Sequence, residues 1–82
     1  MATTHEIKNI LNEAGEADGS YRDEMAFSEI ESGVQLLGKA MSSRVWAYKG
    51  GFALEQGFGG RVSIWVDCKR GTKAKLLKAL GA

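Results

Sequence analysis

The stretch from Arg44 to Cys68 constrains the fold of this 82-residue chain more than any other. It consists of three alternating runs separated by glycines, and it holds both tryptophans, one of the two tyrosines and two of the three phenylalanines. Side chains along a strand point to opposite faces with period two. In Arg44-Val45-Trp46-Ala47-Tyr48-Lys49, Val45 and Ala47 therefore share one face while Arg44, Trp46 and Tyr48 share the other. Enrichment in Val, Trp and Tyr supports a strand over about 44–49. Gly50-Gly51 predicts a two-residue hairpin turn that uses positive φ angles. Residues 52–56 alternate again, and Gly57-Phe58-Gly59-Gly60 forms a longer, looser connection in which Phe58 is a candidate contact anchor. The third run, over about 61–68, places Val62, Ile64, Val66 and Cys68 on one face and Arg61, Ser63, Trp65 and Asp67 on the other.

If Val45 and Ala47 share a core with the aliphatic face of the third run, the opposite side of the meander collects Arg44, Trp46, Tyr48, Arg61 and Trp65. Each large aromatic covers roughly 150 to 250 Å², so Trp46, Tyr48 and Trp65 together present on the order of 400 to 600 Å² of mostly apolar surface. Monomers seldom leave such a patch bare. Either helices cover it or a partner does, and the reading adopted here puts the helices on the aliphatic face.

The first helix is signalled by capping-box spacing between Thr3 and Glu6, then by Ile7, Ile10, Leu11 and Ala14 on one stripe, with Gly15 as a stop. This predicts a helix over about 4–14, followed by a polar turn at 16–20. Phe27, Ile30, Val34, Leu37 and Met41 alternate spacings of three and four, which predicts a second helix within 23–41. Gly33 and Gly38 weaken that assignment, and a strand over 33–37 competes with it. Thr72 is positioned to cap a last helix over about 73–80, which contains Leu76, Leu77 and Leu80. The expected fold is a single α+β domain over residues 1–82, with a three-stranded antiparallel meander and helices packed mainly on one face.

Net charge is only +1, but it is unevenly spread: residues 1–41 carry eight acids and three bases, and residues 42–82 carry eight bases and two acids. The halves either attract each other within the fold or form a dipolar surface that steers a charged partner. A single cysteine excludes an internal disulfide and a cysteine-based zinc site. No basic, apolar export signal follows Met1 and no run approaches the 18 or so apolar residues of a membrane span, so a cytoplasmic location and no membrane partner are expected.

The chemical motifs are weak. Gly33 to Ala40 nearly spells a phosphate-binding P-loop, but Ala40 stands where the magnesium-binding hydroxyl belongs. His5, the one histidine, falls in the first turn of a terminal helix and reads as solvated. Cys68 is flanked by Lys69 and Arg70, which favour a thiolate, yet its phase with Val62, Ile64 and Val66 reads as core. No catalytic residue, metal or cofactor is assigned.

The expected function is that of a small non-enzymatic protein-interaction module, an adaptor or inhibitor of a larger machine. Its partner-binding set is Arg44, Trp46, Tyr48, Phe58, Arg61 and Trp65, and a homodimer through the same sheet face is consistent with it. The alternative is single-stranded nucleic-acid binding, with bases stacked on the aromatics and phosphates followed by Lys/Arg. A secondary basic patch comprises Lys69, Arg70, Lys73, Lys75 and Lys78.

Overall fold

The computed structural model describes residues 2–14, 21–41, 43–48, 50–56, 60–66 and 68–81, with the backbone alone for 21–24. The elements run in the order α1 (Thr4–Ala14), β1 (Tyr21–Ala26), two 3-10 turns (Phe27–Glu29 and Glu31–Gly33), β2 (Val34–Ala40), β3 (Ser43–Tyr48), β4 (Gly51–Gln56), β5 (Arg61–Trp65) and α2 (Thr72–Ala79). The five strands form one antiparallel sheet in the order β1-β5-β4-β3-β2. The class is α+β, as the sequence predicts, but with five strands in place of three. Among the described residues no helix is long and apolar enough to cross a membrane.

Both terminal helices form where their signals lie. The Glu6 amide donates to Thr3 Oγ1 at 3.1 Å, the first half of the capping box, and Ile7, Leu11 and Ala14 are buried along one stripe. At α2 the cap differs from the expectation. Gly71 occupies the cap position at φ 86°, and the Thr72 hydroxyl donates to the Lys69 carbonyl at 2.6 Å instead of accepting from the helix.

The helix expected within 23–41 does not form. Residues 34–40 are instead the edge strand β2, an extended version of the competing assignment, and residues 21–26 form the opposite edge strand. Strands β1 and β2 sit at opposite edges and run parallel to each other, so the link between them must cross the sheet from corner to corner. The width alone is roughly 19 Å, four gaps at about 4.8 Å per strand. Residues 27–33 make that crossing as a belt, held by the Phe27 amide on the Gly60 carbonyl at 2.6 Å and tightened by Ile30 on Phe27 and Gly33 on Ile30. Ile30 is buried over Ala53, Val62 and Ile64, and the small Ala53 beneath it leaves room for its side chain.

The belt makes the sheet a middle layer. Helices α1 and α2 dry one face through Ile7, Leu11 and Leu76 against Val45, Phe52, Leu54 and Trp65. The belt dries the other. Strand β4 lies in the middle, and its residues 51–55 are all buried.

The phase expected for β5 is therefore overturned. Val45 pairs with Leu54 and Leu54 with Ser63, while Trp46 pairs with Ala53 and Ala53 with Ile64. Val62 and Ile64 lie on the face of Trp46, and Trp65 lies on the face of Val45. Cys68, beyond the strand end, packs half-buried against the helix-side core. The hairpin turn is also shifted relative to Gly50-Gly51, because Gly51 already belongs to β4 and pairs with Tyr48. Neither Gly50 nor Gly51 has a positive φ. Gly51 is required for close approach instead: a Cβ there would lie 1.8 Å from the Trp65 carbonyl oxygen and 2.8 Å from the Val66 Cα. Gly51→Ala must push β5 away from β4 and is expected to cost about 3 kcal/mol or more in urea unfolding. Gly50→Ala, with open space around it, is expected to stay within about 0.5 kcal/mol.

Candidate protein-interaction face

A belt that runs diagonally leaves corners of its face uncovered. One of these is the far end of the β2–β3 hairpin. There Leu36 pairs across the sheet with Trp46 and Lys39 with Arg44. Two large apolar side chains are exposed among the described residues, and both belong to this hairpin: Leu36 at 46% and Met41 at 65%. Met41 lies in the turn at φ 55°, a left-handed conformation that short hairpin loops demand but that usually falls to Gly, Asn or Asp.

Behind the hairpin stands a compact polar and aromatic group. Glu55, only 2% exposed on the central strand, receives Arg44 across the β3–β4 pair in an ion pair at 2.7 Å. The hydrogen bond to Glu55 raises the Arg44 pKa above its ordinary value, its charge adds to the effect, and desolvation works against it. A raised folded-state value means that the stabilisation is fully present below the unfolded pKa and is lost only in strong alkali. The guanidinium is thus fixed in charge and position at neutral pH. It lies 5.2 Å from the Trp46 ring centroid and 5.9 Å from that of Phe27, while the two rings are 5.0 Å apart and tilted by 44°. Trp46 is half-buried, yet its Nε1–H is buried without an acceptor among the described residues.

The structure divides the expected partner-binding set. Arg44, Trp46 and Tyr48 are together on the belt side, each half-buried. Trp65 is 1% exposed beneath the helices and donates its Nε1–H to Asn12 Oδ1 of α1 at 3.0 Å. Arg61 is exposed at the start of β5, in phase with Trp65 rather than Trp46. Phe58 and its glycine loop, Lys49 and Asp67 lie outside the described residues. Leu36, Lys39 and Met41, exposed on this hairpin, lie in the segment for which the sequence predicts a helix, so its pattern does not single them out. The near P-loop at Gly33–Ala40 is strand β2, and His5 is exposed on α1, as its position predicts. Among the described residues no group of three His, Cys, Asp or Glu side chains is placed to hold a metal ion.

No protein-family model matches the chain, and neither the curated proteins nor the solved structures compared with it include a match.

The two indoles make opposite predictions. Trp65→Phe removes a buried hydrogen bond and core volume, so it is expected to lower stability by about 1 to 3 kcal/mol. Trp46→Phe keeps a ring beside Phe27 and Arg44 while deleting an unpartnered donor, so its expected cost in the same urea titration is under about 1 kcal/mol.

Proposed function

We propose that the protein is a non-enzymatic protein-interaction module, an adaptor or inhibitor of a larger protein, which captures an extended segment of its partner along strand β2. The observation that carries this reading is the open edge of β2 together with the exposed Leu36 and Met41 of the same hairpin. An edge strand offers unpaired backbone groups that a second strand can satisfy, and proteins normally blunt such edges with charge or proline. Strand β2, Val-Gln-Leu-Leu-Gly-Lys-Ala, has one charge and no proline. The other edge strand carries Arg22, Asp23 and Glu24 within six residues.

Strand addition draws affinity from main-chain hydrogen bonds and selectivity from alternate side chains. Leu36 and Trp46 supply an apolar contact on the belt side. Lys39 stands across from Arg44, and Arg44 is already neutralised by Glu55, so Lys39 is left to meet a carboxylate. The preferred partner segment is therefore extended, with an apolar residue two or three positions from an acidic one. Trp46, Arg44 and Tyr48 remain in the proposed face, while Trp65 acts in the core.

Selection of displayed peptides against the immobilised protein tests this reading. Selected peptides should alternate apolar and acidic residues, slow amide exchange within residues 34–40, and lose at least tenfold in affinity to Leu36→Asp. Peptides that protect another element, or that bind Leu36→Asp equally well, would exclude β2 as the docking edge.

A further inference from the structure

The opposite side of the molecule carries a second feature that the β2 surface does not use. Residues 68–82 contain Lys69, Arg70, Lys73, Lys75 and Lys78 and no acidic residue. All five cations are exposed, and none forms an ion pair or side-chain hydrogen bond among the described residues. The segment packs its apolar side inward: Leu76 is fully buried, and Ala79 and Leu80 rest on the same core. Leu80 reaches β2 where Gly38 leaves space, since a Cβ at Gly38 would lie 3.2 Å from its Cδ1. What remains outward is a ridge of positive charge.

Two hollows flank this ridge. One of about 280 Å³ lies between the end of α1 and the start of α2, lined by Ile10, Glu13, Lys69, Arg70, Thr72 and Lys75. The other, of about 330 Å³, lies on the opposite flank, where Lys69 and Lys73 stand beside Phe52, Cys68 and Gly71. Lys69 borders both hollows, Arg70 and Lys75 the first alone, Lys73 the second alone, and Lys78 lies outside both.

We infer that the Lys69–Lys78 ridge binds the phosphodiester backbone of nucleic acid, without reading its sequence. Three observations select this partner. The ridge has charge but no exposed large apolar or aromatic side chain, whereas a protein interface is anchored by such residues. A membrane surface would require an outward apolar face on α2, and that face is in the core. Backbone phosphate, by contrast, is held by Lys and Arg alone, with affinity supplied by counterion release. Trp46 and Tyr48 lie across the sheet from α2, so phosphate contact on this ridge is separate from base stacking on those two aromatics. Among the described residues Glu13 is the one carboxylate lining the first hollow, and it opposes a phosphate there.

The test is fluorescence anisotropy of the full chain with a labelled 20-base-pair DNA of random sequence, from 25 to 100 mM salt. Five phosphate contacts give a slope of log affinity against log salt of about −4.5, a loss of a few hundred-fold over that range. Lys73→Ala, Lys75→Ala and Lys78→Ala together should flatten the slope to about −2, roughly a tenfold loss, with an unchanged circular dichroism spectrum. Glu13→Gln should tighten binding. Absence of binding at 25 mM salt, an unaltered slope in the triple variant, or equal binding to phosphatidylserine vesicles or polyglutamate would overturn the inference. These residues are separate from β2, so either surface can fail while the other stands.

Discussion

Strand β4 must be dry on both sides, and the rest of the architecture answers that demand. A five-stranded sheet presents two faces to water, and a chain of 82 residues has little left with which to cover them. Two helices of eleven and eight residues serve one face. The other is served by the link between the two edge strands, a seven-residue belt that the topology forces across the sheet. Connectivity and solvation are thus solved by one segment: the link has to cross, and in crossing it buries Ile30 over Ala53, Val62 and Ile64.

A narrow belt cannot cover a whole face, and what it leaves open is specific. The β2–β3 hairpin keeps Leu36, Lys39 and Met41 in water, while Arg44 and Trp46 stand half-covered behind them. The buried Glu55 explains why Arg44 is held there: a carboxylate on the central strand is tolerable only with a cation against it, and Arg44 is its direct cross-strand neighbour. The same pairing holds the guanidinium beside two aromatic rings. A structural need in the middle of the sheet thereby shapes the surface at its edge. On the helix side of the sheet, α2 turns its apolar residues to the core, with Leu80 against Gly38 of β2, and its lysines outward.

Much of this was readable in the residues. The α1 stripe and its Thr3–Glu6 cap, the α2 leucines, and the alternation of β3, β4 and β5 all declare themselves locally. Two things did not. The three-four spacing of Phe27, Ile30, Val34, Leu37 and Met41 imitates a helix because it is assembled from unlike parts. Phe27 opens the first 3-10 turn and Ile30 caps it three residues on, Val34 opens a strand on the same face, and a bulge between Leu36 and Gly38 turns Leu37 to the helix side. Gly33 and Gly38 were the residues that argued against a helix, and they mark the belt's end and the bulge. The second failure is one of phase. Alternation assigns faces within a strand, but which face of β5 joins which face of β3 depends on register across the 57–60 connection, and no single-strand pattern contains that. The split of the tryptophans follows from this register alone.

That split is most directly tested by NMR on the folded chain. The Trp65 indole should show nuclear Overhauser contacts to α1, including Asn12, and the Trp46 indole to the ring of Phe27, with neither sharing the other's neighbours. Contacts from both indoles to the same element would place them on one face and contradict the register, the belt and the proposed β2 surface together.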